Sequence, residues 1–295
     1  MKKIILNGCS WVAGDGILWD RFLQEKEEDI NDPELSWSYI GVRSPRNVSL
    51  CKEYRIYRYQ FNQGGMLKNE LKTEVIDLAQ DGNSNDNICM STVNHILSIP
   101  LEDRPNYHVI VGWTVKERKL LYIRNVWYNV STWHIKQNWE PWGPVKSRIN
   151  GAIIEETDND WYLNYIKNIM FLETFLKSHK MSYTFYRSLG STDEFYDLDS
   201  DKKYNSFKMS LRGTPGHHIQ LDNLLPSVSD DVNWLTFFEQ EQHKGLASHS
   251  WTKYMEKTFK DWQWFISTDN AHPNLKATTL LVDIIKNHLI KNNLL

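Results

Sequence analysis

An α/β fold, with helices layered on both faces of a parallel sheet, is the architecture this sequence predicts. Short apolar runs bounded by turn residues recur along the chain, and the stretches between them carry apolar residues at helical rather than alternating spacing. Composition agrees: 295 residues, 41% of them hydrophobic and 13% aromatic, supply a sizeable core. A mean hydropathy of -0.55 and a net charge of -3 describe an ordinary soluble surface. The expectation is one domain over residues 1–295, because no repeat, low-complexity segment or Gly/Ser linker marks a boundary.

The first strand is "KKIILNG" (2–8), ending on Gly8, and "WVAGDGILWDRFL" after it reads as a loop leading to a helix that ends in the charged "EKEED". A second strand and turn fall in "TEVIDLAQDG" (73–82). "SNDNICMSTVNHILSIP" (84–100) places Ile88, Val93, Ile96 and Leu97 at near-helical spacing and stops at Pro100. "NYHVIVGWT" (106–114) is the third strand. Residues 158–180 form an amphipathic helix with Tyr162, Ile166, Ile169, Leu172 and Leu176 on one stripe, and "MSYTFYRSLG" (181–190) follows as the fourth strand. Residues 274–293 close the alternation as a helix. Two stretches break it, at about 115–157, with Trp127, Trp133, Trp139 and Trp142, and at about 191–265. Both follow predicted strands, so they are expected as insertions over the carboxyl ends of the sheet, where α/β folds bind ligands. The tryptophans suit either a platform for sugar rings or apolar anchors of an irregular loop.

The bulk numbers exclude several functions. Lys and Arg do not outnumber Asp and Glu (34 against 37), so no nucleic-acid partner is expected. No apolar run approaches the roughly 18–20 residues of a membrane span. The run after Lys2 and Lys3 is far shorter than the roughly 7–15 residues of a secretory signal, so synthesis into the cytoplasm is expected. Cys9, Cys51 and Cys89 are odd in number and lack CxxC spacing, which suggests neither a disulfide framework nor a thiolate metal site. His217 and His218 are adjacent, and neighbours on a strand point to opposite faces, against a shared metal.

Ser10 lies just beyond the first strand, in "NGCSW", where a hydroxyl would reach a ligand crevice. A serine nucleophile needs a base, and the base an orienting carboxylate. "STDNAHPN" (267–274) supplies both, with Asp269 three residues before His272 in a turn ahead of the last helix. Plainer roles are open too: Ser10 as a cap, Asp269 and His272 as a helix-start pair, and Gly82 as a turn glycine. Cys9 is the rival nucleophile, expected instead to point away from Ser10 and pack.

Together these pieces resemble the SGNH hydrolases, the GDSL-like esterases and lipases, through four short blocks in order. "NGCSW" stands at the first block, with Gly8-Cys9-Ser10 in place of Gly-Asp-Ser. "AQDGNSNDNI" resembles the second, with Gly82 at the oxyanion glycine. "DNAHP" matches the Asp-x-x-His of the last. The third, Gly-x-Asn-Asp in the family, reads "GWTV" here, so Gly112 is kept and Thr114 stands where asparagine would be. The Ser/Asn-rich second block and the "GWT" third resemble divergent members encoded by tailed bacteriophages. The resemblance implies a Ser10-His272-Asp269 triad. Ser10 and Gly82 would donate to the oxyanion, with the missing donor replaced by Thr114, Asn85 or Asn83. It implies ester hydrolysis without metal or organic cofactor, and the polar, Trp-bearing insertions suggest a small acyl group on a carbohydrate rather than a lipid chain. The alternative it leaves is a catalytically silent structural or glycan-binding protein, in a homo-oligomer or a virion assembly.

Overall fold

The computed structural model describes residues 2–29, 32, 35, 45–131, 147–149, 151, 158–189, 208–210, 218–220, 232–237, 250–259, 265–267 and 270–295. Its centre is a parallel sheet of β1 (Lys3–Gly8), β2 (Val75–Asp77), β3 (Tyr107–Trp113) and β6 (Ser182–Arg187), in the spatial order β2-β1-β3-β6. β1 pairs with β3 from Lys3↔Tyr107 to Gly8↔Gly112, and β3 with β6 from His108↔Ser182 to Trp113↔Arg187. Beyond β6, residues 233–235 extend the sheet: Phe185 N-H donates to the Asn233 carbonyl at 2.8 Å, and Leu235 N-H to the Phe185 carbonyl at 2.9 Å. Counted along the chain this is the 2-1-3-4-5 order of doubly wound sheets, whose switch point falls between β1 and β3.

Both faces are covered, which explains why these strands read as continuous apolar runs. Alternate residues choose the face. Ile4, Leu6, Ile110 and Tyr186 pack on α4 (Gln63–Leu71) and α8 (Leu275–Lys291), through Leu67, Leu71, Leu281 and Ile285. Ile5, Val109, Val111 and Phe185 pack on α5 (Asn85–Leu97) and α6 (Asp158–Ser178), through Ile88, Ile96 and the stripe Ile166, Ile169, Leu172 and Leu176. The predicted three layers are what the structure has, and so are these four positions of the predicted stripe; the side chain of Tyr162 lies outside the described residues. Among the described residues no helix is long and apolar enough to cross a membrane.

Asparagine and serine start the flanking helices. Asn62 Oδ1 accepts from Gly65 N-H at 2.9 Å, Ser84 Oγ from Asn87 N-H at 3.3 Å, and Asn274 Oδ1 from Ala277 N-H at 3.0 Å. α1 (Ser10–Ala13) follows β1 directly. α2 (Trp19–Glu25) and α3 (Pro45–Tyr59) build a smaller core of Trp19, Phe22, Leu23, Leu50 and Tyr54. α7 is Trp251–Thr258.

The insertion at 115–157 differs from the irregular loop expected of its tryptophan-rich stretch. β4 (Arg118–Ile123) and β5 (Val126–Ser131) form an antiparallel hairpin, turning at Arg124 and Asn125, both in the left-handed region. Two such residues match the twist of a two-residue hairpin turn. Trp127 is 61% exposed and lies 4.6 Å from the Tyr122 ring, so it anchors no core; Trp133, Trp139 and Trp142 fall outside the described residues. Within 191–265 one antiparallel pair appears, β7 (Lys208–Ser210) with β8 (His218–Gln220), and a second, β9 (Phe265–Ser267) with β10 (Asn270–Pro273), follows at its end.

Candidate active site

The carboxyl ends of β1 and β3 lie side by side, and glycine keeps the space above them open. A Cβ on Gly8 would lie 2.2 Å from Val12 Cγ2, and one on Gly112 would lie 2.7 Å from Val12 Cγ2 and 2.7 Å from the Tyr186 hydroxyl. The paired glycines let α1 settle on the strand ends, and this seats Ser10 at the switch point. Cys9, in extended conformation, precedes α1. Ser10 is the first helical residue, so its N-H has no intrahelical acceptor. Further bonds fix α1: Gln63 Nε2 donates to the Trp11 carbonyl at 3.2 Å, Tyr186 hydroxyl to Gln63 Oε1 at 2.5 Å, and Asn62 Nδ2 to the Ala13 carbonyl at 3.3 Å. Cys9 packs fully buried, its Sγ 3.5 Å from Ser188 Oγ.

His272 comes from β10, immediately before Pro273 and the Asn274 cap of α8. Its Nε2 lies 2.9 Å from Ser10 Oγ. Burial is the main cause that lowers the imidazole pKa, to about 4; the charges of Arg118 and Arg58 lower it further, while Asp81 opposes them. At neutral pH the ring is uncharged, as a base facing a hydroxyl must be. Ser10 itself is 5% exposed. Asp269 lies outside the described residues.

The proposed oxyanion residues occupy distinct places. Gly82 is exposed, with φ +67, in the turn after β2. That turn follows the end of β1, because Gln80 N-H donates to the Gly8 carbonyl at 3.2 Å and Asn83 Nδ2 to the same carbonyl at 3.1 Å. Thr114 sits two residues past Gly112 as Ser10 sits two past Gly8, on adjacent strands in register. Its Oγ1 is buried and has no hydrogen-bond partner among the described residues. Asn85 departs from the role of direct donor. Its Nδ2 donates to the Thr114 and Val115 carbonyls at 3.3 and 2.9 Å, and its Oδ1 accepts from Thr114 N-H at 3.0 Å. The amide hydrogens are spent on the Thr114 and Val115 carbonyls, so Asn85 acts on the site by holding this backbone.

Three charged groups beside the site carried no motif. Arg58 is ion-paired with the buried Asp15 and donates to Asp81 Oδ1 at 3.1 Å. Arg58 and Asp81, with Arg55, Asn62 and Asp77, line a cleft of about 490 Å³ that is also bounded by Ala13 of α1. Burial raises the Asp77 carboxyl to about 6, although Ala79 N-H, Asn62 Nδ2 and Arg58 counteract it. Arg118, at the start of β4, is the remaining cation near His272. In sequence it belongs to "KERK", a polar run that reads as solvated surface.

No protein-family model and no curated protein matches the chain. Among solved structures it is similar to a chain described as a "putative GDSL-like lipase" from Parabacteroides merdae, at 11% identity and a TM-score of 0.35, over 97% of this chain and 95% of that one. A likeness of that size identifies neither a family nor an activity.

Proposed function

We propose that this chain is a serine ester hydrolase working through an acyl-enzyme. The observation that carries the reading is the 2.9 Å approach of His272 Nε2 to Ser10 Oγ at the switch point of a parallel sheet. Ser10 Oγ attacks the acyl carbon as its proton passes to Nε2. The backbone N-H groups of Ser10 and Gly82, with the Thr114 hydroxyl, receive the oxyanion. The bond from acyl carbon to alcohol oxygen then breaks, and the imidazolium returns its proton to the leaving alcohol. Water, deprotonated by His272, releases the acid and restores Ser10. Asp269 has the part of orienting the ring.

A small acyl group on a polyhydroxylated alcohol, such as a carbohydrate, fits best. The cleft beside α1 is walled by guanidinium, carboxylate and amide groups, and an acyl chain of lipid length would need an apolar groove. The unusual third block favours a second reading, a silent binding or assembly module, because a threonine stands at the oxyanion position.

Labelling with a fluorophosphonate probe separates the two. The wild type is expected to label, and Ser10→Ala and His272→Ala to lose labelling together with about 10⁴-fold or more of any esterase activity. A folded wild type that neither labels nor turns over an acetyl ester overturns the hydrolase reading.

A further inference from the structure

We propose that Arg118 is the anion-recognition residue of this site, and that the ester it serves carries a carboxylate or phosphate close to the reacting acyl group. This deepens the hydrolase reading and rests on it. Arg118 Nη1 reaches the Asn83 carbonyl at 3.4 Å. Asn83 directly follows Gly82 and binds the Gly8 carbonyl, two residues before Ser10. The guanidinium therefore lies over the loop that borders the end of the nucleophile's strand.

Its surroundings leave its charge unanswered. Among the described residues no carboxylate lies within 4 Å of Arg118, whereas Arg58 has Asp15 and Asp81, and the surface residue Arg21 has Glu25 at 2.9 Å. Arg118 is half-buried, and a guanidinium carries five donors of which one long contact is used. Partly removing such a group from water is unfavourable unless an anion meets it, and its planar fork suits a carboxylate or phosphate. The element beneath it is fixed. Ser84 Oγ donates to Asn129 Oδ1 at 2.7 Å, Leu120 N-H donates to Asp86 Oδ2 at 3.0 Å, and Asn164 Nδ2 donates to both Asp86 oxygens at 3.1 Å. The Arg118 charge also helps to keep His272 neutral, which places its field at the catalytic ring. A bound anion would lift that restraint as the ring begins to take the Ser10 proton.

The test compares 4-nitrophenyl hemisuccinate with the uncharged 4-nitrophenyl butyrate, an ester of similar length. The wild type is expected to favour the anionic ester in kcat/KM. Arg118→Gln is expected to lower the anionic-to-neutral ratio about tenfold or more, chiefly through KM, and Arg118→Lys to restore part of it. A wild type indifferent to the charge, or equal losses on both esters in Arg118→Gln, overturns the assignment. If neither ester is turned over, the hydrolase reading fails by itself, and succinate binding followed by calorimetry decides for Arg118. Binding that is lost in Arg118→Gln upholds the anion site, and no binding to the wild type overturns it.

Discussion

At the scale of single residues, Thr114 shows how this site differs from its sequence pattern. Its hydroxyl is enclosed and has no hydrogen-bond partner among the described residues, an arrangement that stabilises nothing in the resting protein. On the hydrolase reading, a group kept at that disadvantage past the end of the strand next to that of Ser10 is free to bond when charge develops on a substrate oxygen. Thr114→Val keeps the shape and removes the hydroxyl. The expected outcome is a thermal midpoint equal to or above the wild type and a kcat lower by about 10² to 10³, read by calorimetry and steady-state kinetics. His272 makes a second prediction at this scale. Its pKa is lowered to about 4 by burial first and by Arg118 next. The acid limb of kcat/KM should therefore fall near pH 4, well below the ordinary imidazole range, and move upward in Arg118→Gln. A limb near 6.5 in the wild type would rule out this environment for the base. The approach of His272 to Ser10 was legible because each sits in a short block at the end of a predictable element. The partners of Asn85 and the position of Arg118 were not, because both depend on contacts across the β3-β4 connection that no local pattern encodes.

At the scale of elements, the β4-β5 hairpin pairs with no further strand among the described residues and is held by side chains. Asp86 joins it to α6, accepting from Leu120 N-H on the hairpin and from Asn164 and, at 3.1 Å, Asn168 on the helix, while Leu121, Ile123, Tyr128 and Val130 pack with Ile149 and Trp161. Asp86→Ala leaves these donors to water or without partners. A loss of about 1–3 kcal/mol is expected from denaturant unfolding, with faster amide exchange at Leu120 than at Val109 in the core strand. Unchanged exchange at Leu120 would mean that the hairpin is fixed by other contacts. The strands and the helices at 84–100, 158–180 and 274–293 were readable because their buried faces are apolar. α3 was not, because its buried positions Asn47, Leu50, Cys51, Tyr54 and Arg58 keep helical spacing while two of the five are polar. α4 was obscured by Gly64 and Gly65, which read as breakers. There a Cβ on Gly64 would lie 2.7 Å from Asp77 Oδ2, so the glycine serves close approach of helix to strand.

At the scale of the whole molecule, buried titratable groups couple the fold to pH. His108 lies between Ser182 Oγ at 2.8 Å and Thr184 Oγ1 at 3.0 Å, and burial, aided by the charges of Lys2 and His288, lowers it to about 3. His272 is lowered as well. Unfolded, both rings take a proton near 6.5. Below that pH the unfolded chain binds protons that the folded chain refuses, so stability falls as pH drops toward 4. Asp77 works the other way, because its raised pKa lets the folded chain bind a proton between about 6 and 4 that the unfolded carboxylate still lacks. The two histidines outweigh the one carboxyl. The urea midpoint is expected to fall from pH 6.5 to pH 4, and less steeply in His108→Gln; equal slopes in the two proteins would remove His108 from this account.

Ser10 and His272 stand 262 positions apart, and β1, the earliest strand, lies between two partners that emerge after it. Loop closures of that span come late, because the contacts that reward them form only once the intervening layers are in place. While a ribosome is still making the chain, the hydroxyl exists without its imidazole until position 272 has been added. On the hydrolase reading proposed above, the protein is thus chemically latent until β10 and α8 dock. Appearance of the Ser10-His272 pair would then serve as a clock for the completion of folding, running behind any signal from the sheet.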